Sequence, residues 1–230
     1  MTRIERVVVP DGEFDLHVWG QEGPGILLVQ EVFGVGEYLR AVAEDLAALG
    51  YVVAAPDLFW RIEPGWTVVH DEEALPKGMS MVSQFDWAKG VEDAAAALGV
   101  LKGLPGVGKV GVLGFCFGGT VAYLLAARAE IDALVSFYGS GVPDALDQID
   151  GIGAPAQFHF GGADEYIPRE DVAKVERAVE GRDGMEIHVQ EDGGHAFHNR
   201  KAPMFYQPEP AERAWRLTEE FLARTLPRRS

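Results

Sequence analysis

The chain has 230 residues, 47% of them hydrophobic, and carries a formal charge of −16 at neutral pH with a single cysteine. That content suits one domain, 1–230, around one core, since no linker-like or low-complexity stretch divides it. The acidic balance excludes nucleic acid as a partner, no apolar run approaches the ~18 residues of a membrane span, and a lone cysteine behind a start unlike a signal peptide points to a reducing, cytoplasmic setting.

Residues 3–9 and 14–19 alternate polar and apolar positions across Pro10-Asp11-Gly12 and predict an antiparallel hairpin. Residues 25–30 are apolar at consecutive positions, the pattern of a strand buried on both faces, and 38–49 has helical spacing closed by Gly50. Residues 51–55 form the next strand. From Leu58 to Ser80 no period is convincing; the stretch holds Trp60, Arg61, Trp66 and His70 and reads as a candidate substrate-binding loop. Residues 82–101 make one helical pattern, 109–115 a strand and 117–128 a helix. Strands over 133–138, 156–161 and 185–190 follow, with a helix over 169–179 between the last two and a closing helix over 211–224. This alternation implies a mostly parallel sheet covered on both faces.

Reactive residue types collect at three strand ends. In Lys109-Val-Gly-Val-Leu-Gly114-Phe-Cys116-Phe-Gly118-Gly119 an apolar strand runs into a glycine-framed turn bearing the cysteine. Cβ-free residues two before and two after it let strand and helix backbones pass closely, so the run reads as a nucleophile elbow with sulfur in place of the usual serine oxygen. Asp164 follows Ala156-Gln-Phe-His-Phe-Gly161-Gly162, and His195 follows Met185-Glu-Ile-His-Val-Gln190 within Gly193-Gly194-His195-Ala196-Phe197. Nucleophile, acid and histidine thus occur in α/β-hydrolase order. Taken singly, each has a plainer reading: Cys116 as a small buried hydrophobe, Asp164 as a turn residue, His195 as an exposed loop residue. Together they describe an activated thiol with its base.

With Gln30-Glu31-Val32-Phe33-Gly34, Pro56-Asp57-Leu58-Phe59, the elbow, Gly161-Gly162-Ala163-Asp164 and Gly194-His195-Ala196-Phe197, nearly the whole chain resembles the dienelactone hydrolase family. The resemblance implies an α/β-hydrolase fold: a mostly parallel twisted sheet of about seven to eight strands, helices on both faces and no large cap. It implies no cofactor and no metal, and hydrolysis of a small-molecule carboxylic ester or lactone through an acyl-enzyme, in a monomer or small homo-oligomer. Under it His195 is the base that later activates water, Asp164 fixes its tautomer, and the backbone N–H groups of Val32 and Phe117 hold the oxyanion. The family's glutamate in the Gln-Glu-Val-Phe-Gly position contacts the cysteine and switches on substrate binding to take its proton. Carried onto Glu31, that keeps Cys116 a thiol at rest.

Gly103-Leu-Pro-Gly-Val-Gly108-Lys109 has the spacing of a phosphate-binding loop, but Val110 stands where a hydroxyl is required and the segment opens a strand, not a helix. His195 and His198, with Glu191 and Asp192 nearby, lack the helical support of a metal site. His159 and His188 lie within strand-like runs as packing residues. The candidate substrate contacts are Phe33, Trp60, Arg61, Tyr138, Phe197, Asn199 and Arg200. Arginines that grip a substrate carboxylate in dienelactone-processing members align near Leu75 and at Asn199, neither of them basic, with Arg61, Lys77, Arg200 and Lys201 nearby in sequence as substitutes. A pocket without a cation is expected to prefer neutral acyl groups. The competing functions are a non-catalytic ligand-binding protein on the same fold and a thiol-redox protein, which lacks a resolving cysteine.

Overall fold

The computed structural model describes residues 2–71 and 73–227. The alternating N-terminal segments form the expected hairpin: β1 (Thr2–Val9) pairs antiparallel with β2 (Gly12–Trp19), Val9 opposite Gly12. β2 pairs antiparallel with β4 (Val52–Pro56), and beyond it every ladder is parallel, through β3 (Gly23–Val29), β5 (Val107–Phe115), β6 (Ala133–Phe137), β7 (Ala156–Gly161) and β8 (Met185–Gln190). The eight-stranded sheet runs β1-β2-β4-β3-β5-β6-β7-β8. β4, β6 and β7 are buried at every position, as strands covered on both faces must be.

α3 (Trp87–Gly103) and α4 (Phe117–Ala126) lie side by side over the middle of the sheet, while α1 (Glu37–Ala48) covers β4 and β2. α5 (Arg169–Val179) packs on β8, and α6 (Pro208–Thr225) on β6, β7 and β8. Two elements differ from the sequence reading. The pattern over 82–101 is two helices: α2 (Ala74–Gln84) ends at Phe85, whose extended backbone breaks the ladder, and Asp86 caps α3 by accepting from Lys89 N–H at 3.1 Å. An N-cap carboxylate satisfies an amide that a continuous helix would have bonded itself. A 3-10 helix over Pro143–Gly151, with no apolar period to announce it, follows β6.

The strand order doubles back between β4, β3 and β5, so the loops leaving the C-terminal ends of β3, β5, β7 and β8 converge on one edge of the sheet. Those loops carry Glu31, Cys116, Asp164 and His195 respectively. Among the described residues no helix is long and apolar enough to cross a membrane.

Candidate active site

The turn from β5 into α4 is built by exclusion. A Cβ on Gly114 would stand 2.0 Å from the Gly118 carbonyl oxygen, and one on Gly118 would stand 2.4 Å from those of Val29 and Gln30. Only glycine allows so close an approach. Between them Cys116 adopts φ 52° and ψ −117°, a strained conformation for a residue with a Cβ. Its N–H donates to Phe137 O at 2.9 Å and its carbonyl accepts from Thr120 N–H at 3.1 Å, which pins the bend at the N-terminus of α4.

From that bend Cys116 Sγ lies 3.1 Å from His195 Nε2, and His195 Nδ1 lies 2.8 Å from Asp164 Oδ2. Asp164 Oδ1 meanwhile accepts from the N–H groups of Tyr166 at 2.7 Å and Ile167 at 3.0 Å. One carboxylate therefore does both jobs that the sequence left as alternatives: it shapes the turn and it orients the imidazole. With Nδ1 turned to Asp164, Nε2 faces the sulfur. Burial opposes a charge on His195, but the Cys116 sulfur and the Asp164 carboxylate outweigh it and raise the imidazole pKa above its ordinary value.

Glu31, 2% exposed, sits just beyond β3. Its Oε2 accepts from Asn199 Nδ2 at 2.6 Å and its Oε1 from the Tyr138 hydroxyl at 3.4 Å. Burial pushes its carboxyl up to about 7, against the opposing pull of His195, Asn199 and Tyr138. Asn199 Oδ1 accepts from Lys201 N–H at 3.0 Å, which sets the amide with its NH2 inward, the second hydrogen facing His70 Nε2 at 3.2 Å. Behind Tyr138 the Tyr38 hydroxyl meets His198 Nδ1 at 2.7 Å, and burial holds His198 down at about 3. Among the described residues no hydrogen bond joins Glu31 to Cys116, although both line one cavity: the thiol engages His195, and Glu31 engages Asn199 and Tyr138.

A cavity of about 280 Å³ opens over the thiol, walled by Val32, Phe33, Leu75, Met79, Tyr166 and Phe205, with Glu31, Cys116 and His195 at its base and Ser140 and Ala196 beside them. Among the described residues no lysine or arginine lines it. Val32 N–H donates to no other group among the described residues, and Phe117 N–H opens α4, where first-turn amides have no helical carbonyl to bond.

Several expected substrate contacts lie elsewhere. Trp60 stacks on Phe14 at 5.4 Å and donates its indole N–H to Asp93 at 2.9 Å, because a largely buried indole nitrogen needs an acceptor. Arg61 is clamped between Asp93, at 2.9 Å from Nε, and Asp11, at 2.7 Å from Nη1. Arg200 pairs with Asp45, Lys77 with Glu73 and Lys201 with Glu37, so none of the substitute cations reaches the cavity. Tyr138 and Phe197 are fully buried against each other, ring centroids 5.3 Å apart, beneath the His195 loop instead of in the cavity wall. Asn199 is buried on Glu31, not offered to a ligand. Phe33 does line the cavity, and Leu75 stands in its wall. Met79, Ser140, Tyr166 and Phe205 were not singled out in the sequence; of these only Tyr166, two residues after the acid, lay beside a legible motif. His70 was noted only as part of the aperiodic stretch, and its approach to Asn199 had no signal in the chain.

The chain is similar to known proteins over most of its length. The family model for the dienelactone hydrolase family matches residues 16–226. A carboxymethylenebutenolidase of Pseudomonas putida is 33% identical over 76% of this chain and 75% of its own length, and one of Cupriavidus pinatubonensis is 31% identical over 80% and 79%. The crystal structure of a dienelactone hydrolase from Anabaena variabilis superposes with a TM-score of 0.73 at 21% identity, covering 98% of each chain. A dienelactone hydrolase-like promiscuous phosphotriesterase from metagenomic libraries does so with a TM-score of 0.81 at 20% identity, again over 98% of each. These structural likenesses carry the α/β-hydrolase fold, and the sequence match over nearly the whole length carries the kinship: the chain belongs to the dienelactone hydrolase family, a family of hydrolases.

Proposed function

We propose that the protein hydrolyses carboxylic esters or lactones with a neutral acyl group through an acyl-enzyme on Cys116. The observation that carries this reading is the continuous line from Cys116 Sγ through His195 to Asp164, 3.1 and 2.8 Å long, at a strained elbow over an apolar cavity. Sulfur attacks the acyl carbonyl as His195 Nε2 takes the thiol proton, and the carbonyl oxygen, now negative, turns to the Val32 and Phe117 N–H groups. Collapse breaks the C–O bond, and the proton on His195 passes to the departing oxygen. Water then attacks the thioester with His195 again as base. Breaking of the S–C bond releases the acid and returns the proton to Cys116. Asp164 keeps Nδ1–H oriented and stabilises the imidazolium in both halves.

Among the described residues no lysine or arginine lines the cavity wall, which supports a neutral acyl group, since a buried substrate carboxylate without a partner charge is costly. The test is single-turnover acylation by p-nitrophenyl butyrate followed by intact mass. The wild type should gain one butyryl group on Cys116 and then lose it, and Cys116→Ala should gain none. Full esterase activity in Cys116→Ala would overturn the assignment.

A further inference from the structure

Beside the cavity over the thiol lies a second one of about 240 Å³, lined by Glu165, Tyr166, Phe205, Tyr206 and Gln207 together with His195. The two share Tyr166, His195 and Phe205 as a common wall, but only the first touches Cys116 and Val32. Their division follows the stereochemistry of acyl transfer. In the tetrahedral adduct the carbonyl carbon bears sulfur, the oxyanion, the acyl chain and the leaving oxygen. The leaving oxygen must meet His195 Nε2 to receive its proton. The acyl chain therefore extends among Phe33, Leu75 and Met79, and whatever the leaving oxygen carries continues past His195 into the second cavity.

The chemistry of that second cavity is specific. Glu165 has no ion pair or hydrogen bond among the described residues, whereas the neighbouring acids are tied up, Glu191 with Arg169 and Asp192 with Arg213. Gln207 is also spent: its Oε1 accepts from Gly194 N–H at 2.6 Å and its Nε2 donates to Asp192 O at 3.2 Å. What remains open to a ligand is the exposed, unpaired carboxylate of Glu165, in a lining it shares with the aromatic residues Tyr166, Phe205 and Tyr206. A carboxylate in a lining that also carries aromatic side chains attracts a cation, through its charge and through any ring quadrupole the ligand meets. It repels an anion, and the −16 net charge of the chain adds to the repulsion.

We infer that the second cavity is the leaving-group subsite and that it selects alcohols bearing a cationic group, an ammonium or a quaternary amine. The inference rests on the acyl-transfer reading and narrows it. The substrate class becomes an open-chain ester with an apolar acyl part and a cationic alcohol part, because a small lactone joins the two parts in one ring and cannot fill both cavities.

The experiment compares three butyrate esters that share one acyl group: butyrylcholine, its uncharged isostere 3,3-dimethylbutyl butyrate, and an ester whose alcohol ends in a carboxylate. For the wild type kcat/KM of butyrylcholine should exceed that of the isostere by about tenfold, with the carboxylate ester lowest. Glu165→Gln should shrink the choline-to-isostere ratio by about threefold or more, and Tyr206→Leu should shrink it further in combination. A ratio at or below one, or a ratio that Glu165→Gln leaves untouched, would overturn the inference. The p-nitrophenyl butyrate burst separates the two levels: a normal burst with no charge preference removes only the subsite, whereas no burst removes the acyl-transfer reading and the subsite with it.

Discussion

Asn199 holds Glu31 without neutralising it: the amide nitrogen lies 2.6 Å from Oε2, and Lys201 N–H at 3.0 Å from Oδ1 keeps the amide from turning over. An amide supplies a hydrogen bond but no positive charge. The carboxyl, sealed from water at 2% exposure, therefore stays near neutrality in its titration, at about 7 in place of 4.5. A cation at position 199 would have carried it the other way.

That raised value has a stability consequence with a definite sign. Because the folded-state pKa lies above the unfolded one, Glu31 contributes its full share below pH 4.5 and loses it as pH climbs to about 7. Relative to wild type, Glu31→Gln should gain stability across that window, by an amount of the order of 3 kcal/mol, and the difference should be flat above it. Urea unfolding of both proteins at a series of pH values measures it. A difference independent of pH would mean that folding leaves the Glu31 pKa unshifted.

Asp164→Asn and His195→Ala should each lower kcat for p-nitrophenyl butyrate by about 10³-fold or more, and the double variant should lose hardly more than the worse single one. Steady-state kinetics with active-site titration checks this. Losses that multiply would mean that the two side chains act separately, against the 2.8 Å bond between them.

Leu75 is an apolar residue in the cavity wall. Leu75→Arg should raise kcat/KM for a carboxylate-bearing lactone relative to a neutral ester by about tenfold, since a charge-assisted pair replaces an apolar contact. The ratio of the two specificity constants is the readout, and an unchanged ratio would place the acyl group elsewhere.

Arg61→Ala separates a structural arginine from a substrate clamp. Asp93 is 2% exposed and takes its charge partner from Arg61, so the variant should lose about 2 kcal/mol or more of stability. Below its melting range it should keep the kcat/KM of wild type. A selective loss on anionic substrates with unchanged stability would restore Arg61 to the site.

Much of the fold was legible because its signals are local. Consecutive apolar residues within 25–30 announce a strand buried on both faces, and glycines at 114 and 118 announce a turn that no Cβ could make. The three strand-end residues Cys116, Asp164 and His195 were legible for the same reason, each sitting next to its own glycine-rich turn. The break at Phe85 was not legible, because helical spacing continues across it and only the Asp86 cap and the packing of the Phe85 ring over Gly90 decide the stop.

The amino-acid sequence by itself determined which residue types stand at the ends of the strands, and hence an α/β sheet with a cysteine, an acid and a histidine in hydrolase order. Only the tertiary structure decided which long side chains face the cavity. Trp60, Arg61 and Arg200 are adjacent in sequence to site segments, yet each is drawn away by an acid that folding brings within reach: Asp93 for the first two and Asp45 for the third. Asn199 and His70, 129 positions apart, meet at 3.2 Å. The physical reason is that periodicity and turn chemistry are written within a few residues, whereas a flexible polar side chain settles on whichever partner the fold leaves nearest, and that partner comes from anywhere in the chain.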